Sequence, residues 1–97
     1  MKFVERRNLR EIDNNYKIRD KYFMIRNVED DGIFTRIYLG KSQIRPAVFI
    51  RKRGKSSRYE PVRYEDTGEM YVIHRVIKKD ESIVLKTGKI ESTIRRK

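Results

Sequence analysis

The chain has 97 residues, enough for one domain, and its 25 Lys and Arg against 14 Asp and Glu give a net charge of +11. It contains no cysteine, which excludes disulfides and thiolate metal sites, and no run of about 18 apolar residues that could cross a membrane as a helix. The positive charge favours anionic partners, namely nucleic acid, acidic lipid headgroups or an acidic protein. Strands that simply expose Lys and Arg on their outer faces would give the same charge.

Residues 1–13 are highly charged and are predicted to form an N-terminal leader arm, with at most one or two helical turns in residues 5–12. The rest of the chain is a series of short apolar segments separated by turn residues. These segments are rich in Ile, Val, Tyr and Phe, which favour strands. The predicted strands are residues 16–18, 23–28, 33–39, 46–50, 59–64, 70–77, 83–85 and 90–94.

Turn residues recur every 8–12 residues or so, a spacing typical of a sandwich or barrel. Asp31-Gly32 predicts a hairpin turn, because Gly32 adopts positive φ without strain. Pro46 suits the first residue of a strand, and Pro61 indicates an edge strand or a bulge. We therefore predict an all-β fold, a small β-sandwich of short, mostly antiparallel strands forming one domain from 14 to 97. Val48 and Val72 are placed in its core.

Five short phrases of the sequence are notable as an ordered set. They are Asn15-Tyr16, Asp30-Asp31-Gly32-Ile33-Phe34-Thr35, Pro46-Ala47-Val48-Phe49, Tyr71-Val72-Ile73-His74-Arg75-Val76 and Leu85-Lys86-Thr87-Gly88. In this order they resemble the C-terminal domain of the TrbG/CagX (TraO-like) family of type IV secretion (conjugation) proteins. The departures from that pattern are Arg45 in place of Leu, His74 in place of a frequent Asp, and Lys86 in place of Arg.

The resemblance implies a non-catalytic structural module of an outer-membrane core complex. Its partners would be a small outer-membrane lipoprotein, the channel-forming core protein and neighbouring copies of itself in a ring. The implied location is the periplasm, in association with the outer membrane. The residues after Met1 contain no hydrophobic stretch typical of a signal peptide, so either the protein is cytoplasmic or its targeting sequence lies upstream. The resemblance implies an upstream signal peptide. No cofactor is expected.

Partner binding is predicted to use an exposed strand edge together with an apolar groove. The candidate residues lie in the first two strands, which carry more apolar surface than short flanking strands need. They are Tyr16, Ile18, Phe23, Met24 and Ile25. An equally open alternative is that these residues close one end of the core.

A basic cluster flanked by two aromatic residues is the alternative site, for anions. Arg and Lys contact phosphates, and aromatic rings stack on bases in single-strand binders. A nucleic-acid-binding β-barrel is therefore the second functional hypothesis, although Phe49 and Tyr59 are expected to point into the core. The cluster comprises Arg51, Lys52, Arg53, Lys55 and Arg58. Residues 95–97, also basic, are predicted to be a frayed terminus.

The sequence offers no catalytic or metal-binding group. His74 is the only histidine, and it has no cysteine or second histidine to share a metal. Asp30, Asp31 and Gly32 lack the ligand spacing of a calcium loop, so we assign them a structural role in the turn. The protein is therefore not expected to be an enzyme.

Overall fold

A computed structural model of the protein describes residues 12–19, 22–40, 45–54 and 58–97. Within these ranges the secondary structure consists of strands and turns, with no helix. The strands are β1 (Tyr16–Arg19), β2 (Ile25–Asp30), β3 (Thr35–Leu39), β4 (Ala47–Lys52), β5 (Glu60–Pro61), β6 (Tyr64–Asp66), β7 (Met70–Ile73), β8 (Glu81–Thr87) and β9 (Ile90–Arg96). The possible helical turn and nearly all of the predicted leader arm lie outside the described residues.

The strands form two antiparallel sheets. One has five strands in the order β1-β9-β8-β4-β5, and the other has four in the order β2-β3-β7-β6. Their inner faces enclose one hydrophobic core. The predicted all-β sandwich is therefore confirmed. The predicted strand 59–64 is divided between the sheets, since β5 pairs with β4 whereas β6 pairs with β7. Pro61 lies in β5, an edge strand, where its missing N–H removes no central ladder bond.

The core follows from alternation along the strands. In β3, Thr35, Ile37 and Leu39 are buried, whereas Arg36 and Tyr38 on the other face are half-buried. β8 is buried on both faces: Ile83 and Leu85 belong to the core, and Val84, which faces the other way, is also fully buried. Val84 lies in register with Phe49 on β4 and Thr93 on β9, so side chains of the outer face shield it.

Two predicted placements are wrong. In β7 the core-facing residues are Tyr71 and Ile73, and Val72 is half-buried on the opposite face. Both faces of this strand are apolar, so alternation alone could not select the inner one. Residues 95 and 96 are not a frayed terminus, because both belong to β9: Arg95 pairs with β1 and β8, and Arg96 pairs with β1.

The turn between β2 and β3 is built by Asp31 and Gly32. The Asp31 carboxylate accepts hydrogen bonds from the backbone N–H of Ile33 at 3.0 Å and of Phe34 at 2.8 Å. The N–H of Phe34 is the main reason that the pKa of Asp31 lies below its ordinary value. Gly32 has a φ of 90°, a backbone conformation that residues with a Cβ rarely adopt.

We expect Gly32→Val to lower the free energy of unfolding by about 1–3 kcal/mol, because a β-branched residue is strained at positive φ. Gly32→Asn is the matched control, since Asn tolerates this region and should retain most of the stability. Urea unfolding followed by circular dichroism measures both. Equal midpoints for Gly32→Val and the parent chain would contradict the assignment.

Candidate interaction surfaces

The residues predicted to bind a partner lie on or beside edge strands. β1 is at one end of the five-stranded sheet and β2 at one end of the four-stranded sheet. Among the described residues, no further strand pairs with the outer edge of either, although Asp13 forms an isolated backbone bridge with Asp30 at the end of β2. Such edges present backbone donors and acceptors that an added strand can satisfy.

The apolar side chains of these segments mostly belong to the core. Tyr16, Phe23 and Ile25 are each less than 10% exposed, and Ile18 packs half-buried against them. Their packing therefore agrees with the alternative interpretation, in which these residues close one end of the core. Met24 differs, since it is 54% exposed and has a φ of 56°.

Met24 lies at a shallow groove beside β2 and β3. The groove encloses about 480 Å³. Its lining comprises Met24, Arg26, Tyr38, Leu39, Gly40 and Glu69. A Cβ at Gly40 would lie 3.0 Å from the Met24 Cε, so glycine allows this close approach. Of the five residues predicted to bind a partner, Met24 is the one that both lines a groove and is exposed.

A buried polar cluster joins the two sheets next to the β1 and β2 edges. Asp30, the last residue of β2, accepts a 2.5 Å hydrogen bond from the Tyr16 hydroxyl and one at 3.0 Å from Nη1 of Arg96. Nη2 of Arg96 donates to Asp13 at 2.6 Å. Burial of the ring, followed by the hydrogen bond to Asp30, raises the pKa of the Tyr16 phenol far above its ordinary value. Tyr16 therefore stays protonated as a donor, and Asp30 has a role beyond the turn that the sequence predicted.

A second inter-sheet contact places Pro46 against Tyr71. Pro46 is fully buried, and its carbonyl accepts a 2.7 Å hydrogen bond from the Tyr71 hydroxyl. Burial raises the pKa of Tyr71 to about 12. Arg45 lies over the Tyr71 ring and holds Asp66 through two hydrogen bonds, which lower the pKa of Asp66. The Arg at position 45 therefore ties the start of β4 to the edge strand β6.

The basic cluster after β4 has a different environment from the one predicted. Phe49 and Tyr59 do not point into the core. They are half-buried and contact each other on the outer face, with their ring centroids 5.8 Å apart and their planes tilted by 36°. Arg51 lies over the Tyr59 ring and donates a hydrogen bond to its hydroxyl. Lys52 and Arg53 are exposed at the end of β4, and Arg58 is also exposed. Lys55 lies outside the described residues.

The hydroxyl of Tyr59 also contacts an acidic residue. Its hydroxyl donates to Glu91 at 2.5 Å, and Lys86 lies 5.2 Å from the ring centre. The hydrogen bond to Glu91 is the main reason that the pKa of Tyr59 is raised. Tyr59 therefore has contacts with Phe49, Arg51, Lys86 and Glu91. These contacts reduce the area of its ring that a base can stack on.

Further basic residues lie on the same outer face, which the sequence did not indicate. Lys17, Arg95, Ser82 and Arg51 are in register across β1, β9, β8 and β4, and we name these four residues the cationic row. A concavity of about 160 Å³ is lined by the cationic row together with Arg19, Arg53 and Thr93. None of its five cations forms an ion pair with a carboxylate in the part of the chain that the structure describes.

The side chain of His74 contacts one aromatic ring and one carboxylate. Its ring packs edge-on against Phe34 at 5.3 Å, and its Nε2 lies 3.4 Å from Glu65. In the ranges that the structure covers, no group of three or more His, Asp or Glu side chains could hold a metal ion. No described helix is long and apolar enough to cross a membrane.

Comparison with known proteins adds no assignment, since no protein-family model and no curated protein matches the chain.

Proposed function

We propose that this chain is a structural module of a type IV secretion outer-membrane core complex. In that role it binds a small outer-membrane lipoprotein and the channel-forming core protein, beside copies of itself in a ring on the periplasmic side of the outer membrane. It needs no cofactor and catalyses no reaction. The observation that carries the proposal is the ordered set of five phrases that resemble the TrbG/CagX family.

The contacts between those phrases support this proposal. Tyr16 of the first phrase is hydrogen-bonded to Asp30 of the second, and the carbonyl of Pro46 in the third accepts from Tyr71 in the fourth. Leu85 of the last phrase is in register with Val48 of the third. Thr35 of the second phrase also donates a hydrogen bond to the carbonyl of Arg75 in the fourth. Residues of the five phrases that lie far apart in the sequence are therefore in contact within the sandwich.

The surface proposed for the partners comprises the outer edge of β1, the part of the β2 edge that Asp13 does not bridge, and the Met24 groove beside β2. A strand added at an edge would be held by backbone hydrogen bonds, and side chains of the partner would enter the groove. Met24 suits this contact because a flexible thioether adapts to differently shaped apolar surfaces.

Co-expression tests the proposal. The chain is produced with the soluble part of the small lipoprotein, or with the periplasmic part of the channel-forming protein, encoded in the same secretion gene cluster. Complexes are measured by size-exclusion chromatography with light scattering. We expect a complex with the lipoprotein whose affinity falls at least about tenfold in Met24→Glu, as for a central contact residue.

Ile90→Glu is the matched control, because Ile90 is also an exposed apolar residue, at 45%, but lies at the β8–β9 turn. It should bind as the parent does. Failure of the parent chain to bind either protein would overturn the secretion role. Equal binding by Met24→Glu would reject the groove while retaining the role.

Nucleic-acid binding is the second candidate, favoured by the basic outer face around Arg51 and Tyr59. Fluorescence anisotropy with labelled single- and double-stranded DNA, from 50 to about 300 mM salt, separates the two functions, because phosphate contacts weaken steeply with salt. Tight binding at physiological salt that is lost in the Arg51→Glu, Arg53→Glu, Arg58→Glu variant would place this function first. DNA binding that disappears at physiological salt would indicate only non-specific attraction between the basic surface and the phosphates.

A further inference from the structure

The cationic row places like charges next to one another on the outer face of the five-stranded sheet. Lys17 and Arg95 are direct cross-strand partners whose side chains share the outer face of the sheet. Like charges directly opposite each other destabilise a strand pair. With strands about 4.8 Å apart, the four positions of the row span about 14 Å, so Arg51 adds to the same field.

The other cations concentrate this charge in one small space. Arg19 lies two residues beyond Lys17 on β1, and Arg53 follows the end of β4, so both border the concavity. The salt bridges elsewhere in the molecule neutralise Arg36, Arg45 and Arg96 with Asp or Glu. Among the described residues, no carboxylate forms such an ion pair with the cations of the concavity, so their charge is available to a bound anion.

The donors of the concavity select among anions. Its volume of about 160 Å³ has room for one compact anionic group. A phosphate monoester carries about −1.5 to −2 charges at pH 7 and presents three strong acceptor oxygens, whereas a carboxylate carries one charge and two oxygens. Guanidinium groups and the hydroxyls of Ser82 and Thr93 supply donors of several orientations.

We propose that this concavity is a binding site for a phosphate monoester group. The group enters over the outer face of the five-stranded sheet, between the side chains of Lys17, Arg95 and Arg51. This site is separate from the Met24 groove and does not depend on the secretion role. Two sources have the required chemistry: a soluble phosphate compound and the headgroup of a phosphomonoester lipid.

The first experiment is an NMR titration of the ¹⁵N-labelled chain with inorganic phosphate, at constant ionic strength and neutral pH. We expect saturable shifts of backbone amides in β1, β9 and β4 around the cationic row. Acetate at the same ionic strength should leave those amides unchanged. The Lys17→Gln, Arg95→Gln variant should bind phosphate at least about tenfold more weakly, because it loses two charge-assisted contacts.

The matched control is the Arg63→Gln, Lys89→Gln variant. It removes the same two residue types from exposed positions outside the concavity, so its affinity for phosphate should equal that of the parent. Lys17→Gln alone, at an exposed position of β1, provides a folded variant if the double substitution impairs folding. Thermal unfolding gives an independent measure: phosphate should raise the Tm of the parent and of the control, but not of Lys17→Gln, Arg95→Gln.

Vesicle co-sedimentation identifies the source of the phosphate. Phosphatidylcholine vesicles containing phosphatidic acid are compared with vesicles containing phosphatidylglycerol, a diester of lower charge. Retention on phosphatidic acid that requires Lys17 and Arg95 indicates a lipid headgroup, whereas binding of inorganic phosphate alone indicates a soluble ligand. Equal shifts with acetate, equal affinity in the double variant, or DNA binding at the row without any response to phosphate would overturn the proposal.

Discussion

Val48→Asp is expected to leave the chain unfolded. Val48 is 2% exposed, on the inner face of β4, where it is in register with Leu85 of β8. A carboxylate there would have no partner among the apolar residues of the core, and burying an unpaired charge costs several kcal/mol. The total stability of a small domain is about 5–15 kcal/mol, and a chain of this size lies toward the lower end.

Val72→Asp is the matched control, because it makes the same substitution on the opposite face of a strand in the other sheet. Val72 is half-buried and lies between its cross-strand partners Arg36 on β3 and Glu65 on β6, so a carboxylate there would be near water, one cation and one carboxylate. We expect Val72→Asp to remain folded, with a loss of about 1 kcal/mol. Far-UV circular dichroism and thermal unfolding measure both. A cooperative transition for Val48→Asp, or an unfolded Val72→Asp, would contradict the assignment of faces.

The fold class was predictable because it depends on local signals. Short β-branched and aromatic segments, separated by turn residues, require only the period of two and turn chemistry to be recognised. The Asp31-Gly32 turn is an example, since every hydrogen bond that defines it lies within a few residues. β7 shows where this reasoning fails: Tyr71 and Val72 are both suited to a core, and the packing of the other sheet decides between them.

The candidate sites were less predictable because they depend on pairings between the two ends of the chain. Lys17 and Arg19 alternate on β1, which indicates a basic face, but nothing local shows that Arg95 lies opposite Lys17. The basic C-terminal residues resembled a frayed tail, yet Arg96 is the inter-sheet partner of Asp30. The sequence predicted Arg51 and Arg53 as part of a basic turn, whereas Arg51 lies in β4, and the positions on β1 and β9 that complete the concavity were not predicted.

Asp30→Ala is expected to cost about 3 kcal/mol in the free energy of unfolding. The Asp30 side chain is the acceptor for the Tyr16 hydroxyl, Arg96 and the backbone N–H of Gly32. Removing one partner of a buried ion pair typically costs 3–5 kcal/mol, because the remaining charge is left uncompensated. We expect the lower end, since Arg96 keeps Asp13 as a partner and its side chain is 23% exposed.

A double-mutant cycle separates the ion pair from the rest of the cluster. If the loss arises from an uncompensated Arg96, then Asp30→Ala combined with Arg96→Met should cost less than the sum of the single substitutions, by about 1–3 kcal/mol. Asp80→Ala makes the same chemical change at an exposed turn and should alter stability by less than about 0.5 kcal/mol. Urea unfolding of the four chains of the cycle and the control measures these differences. Strict additivity would show that Asp30 acts mainly through Tyr16 and the turn, and that the two sheets are not held together by the charge of Arg96.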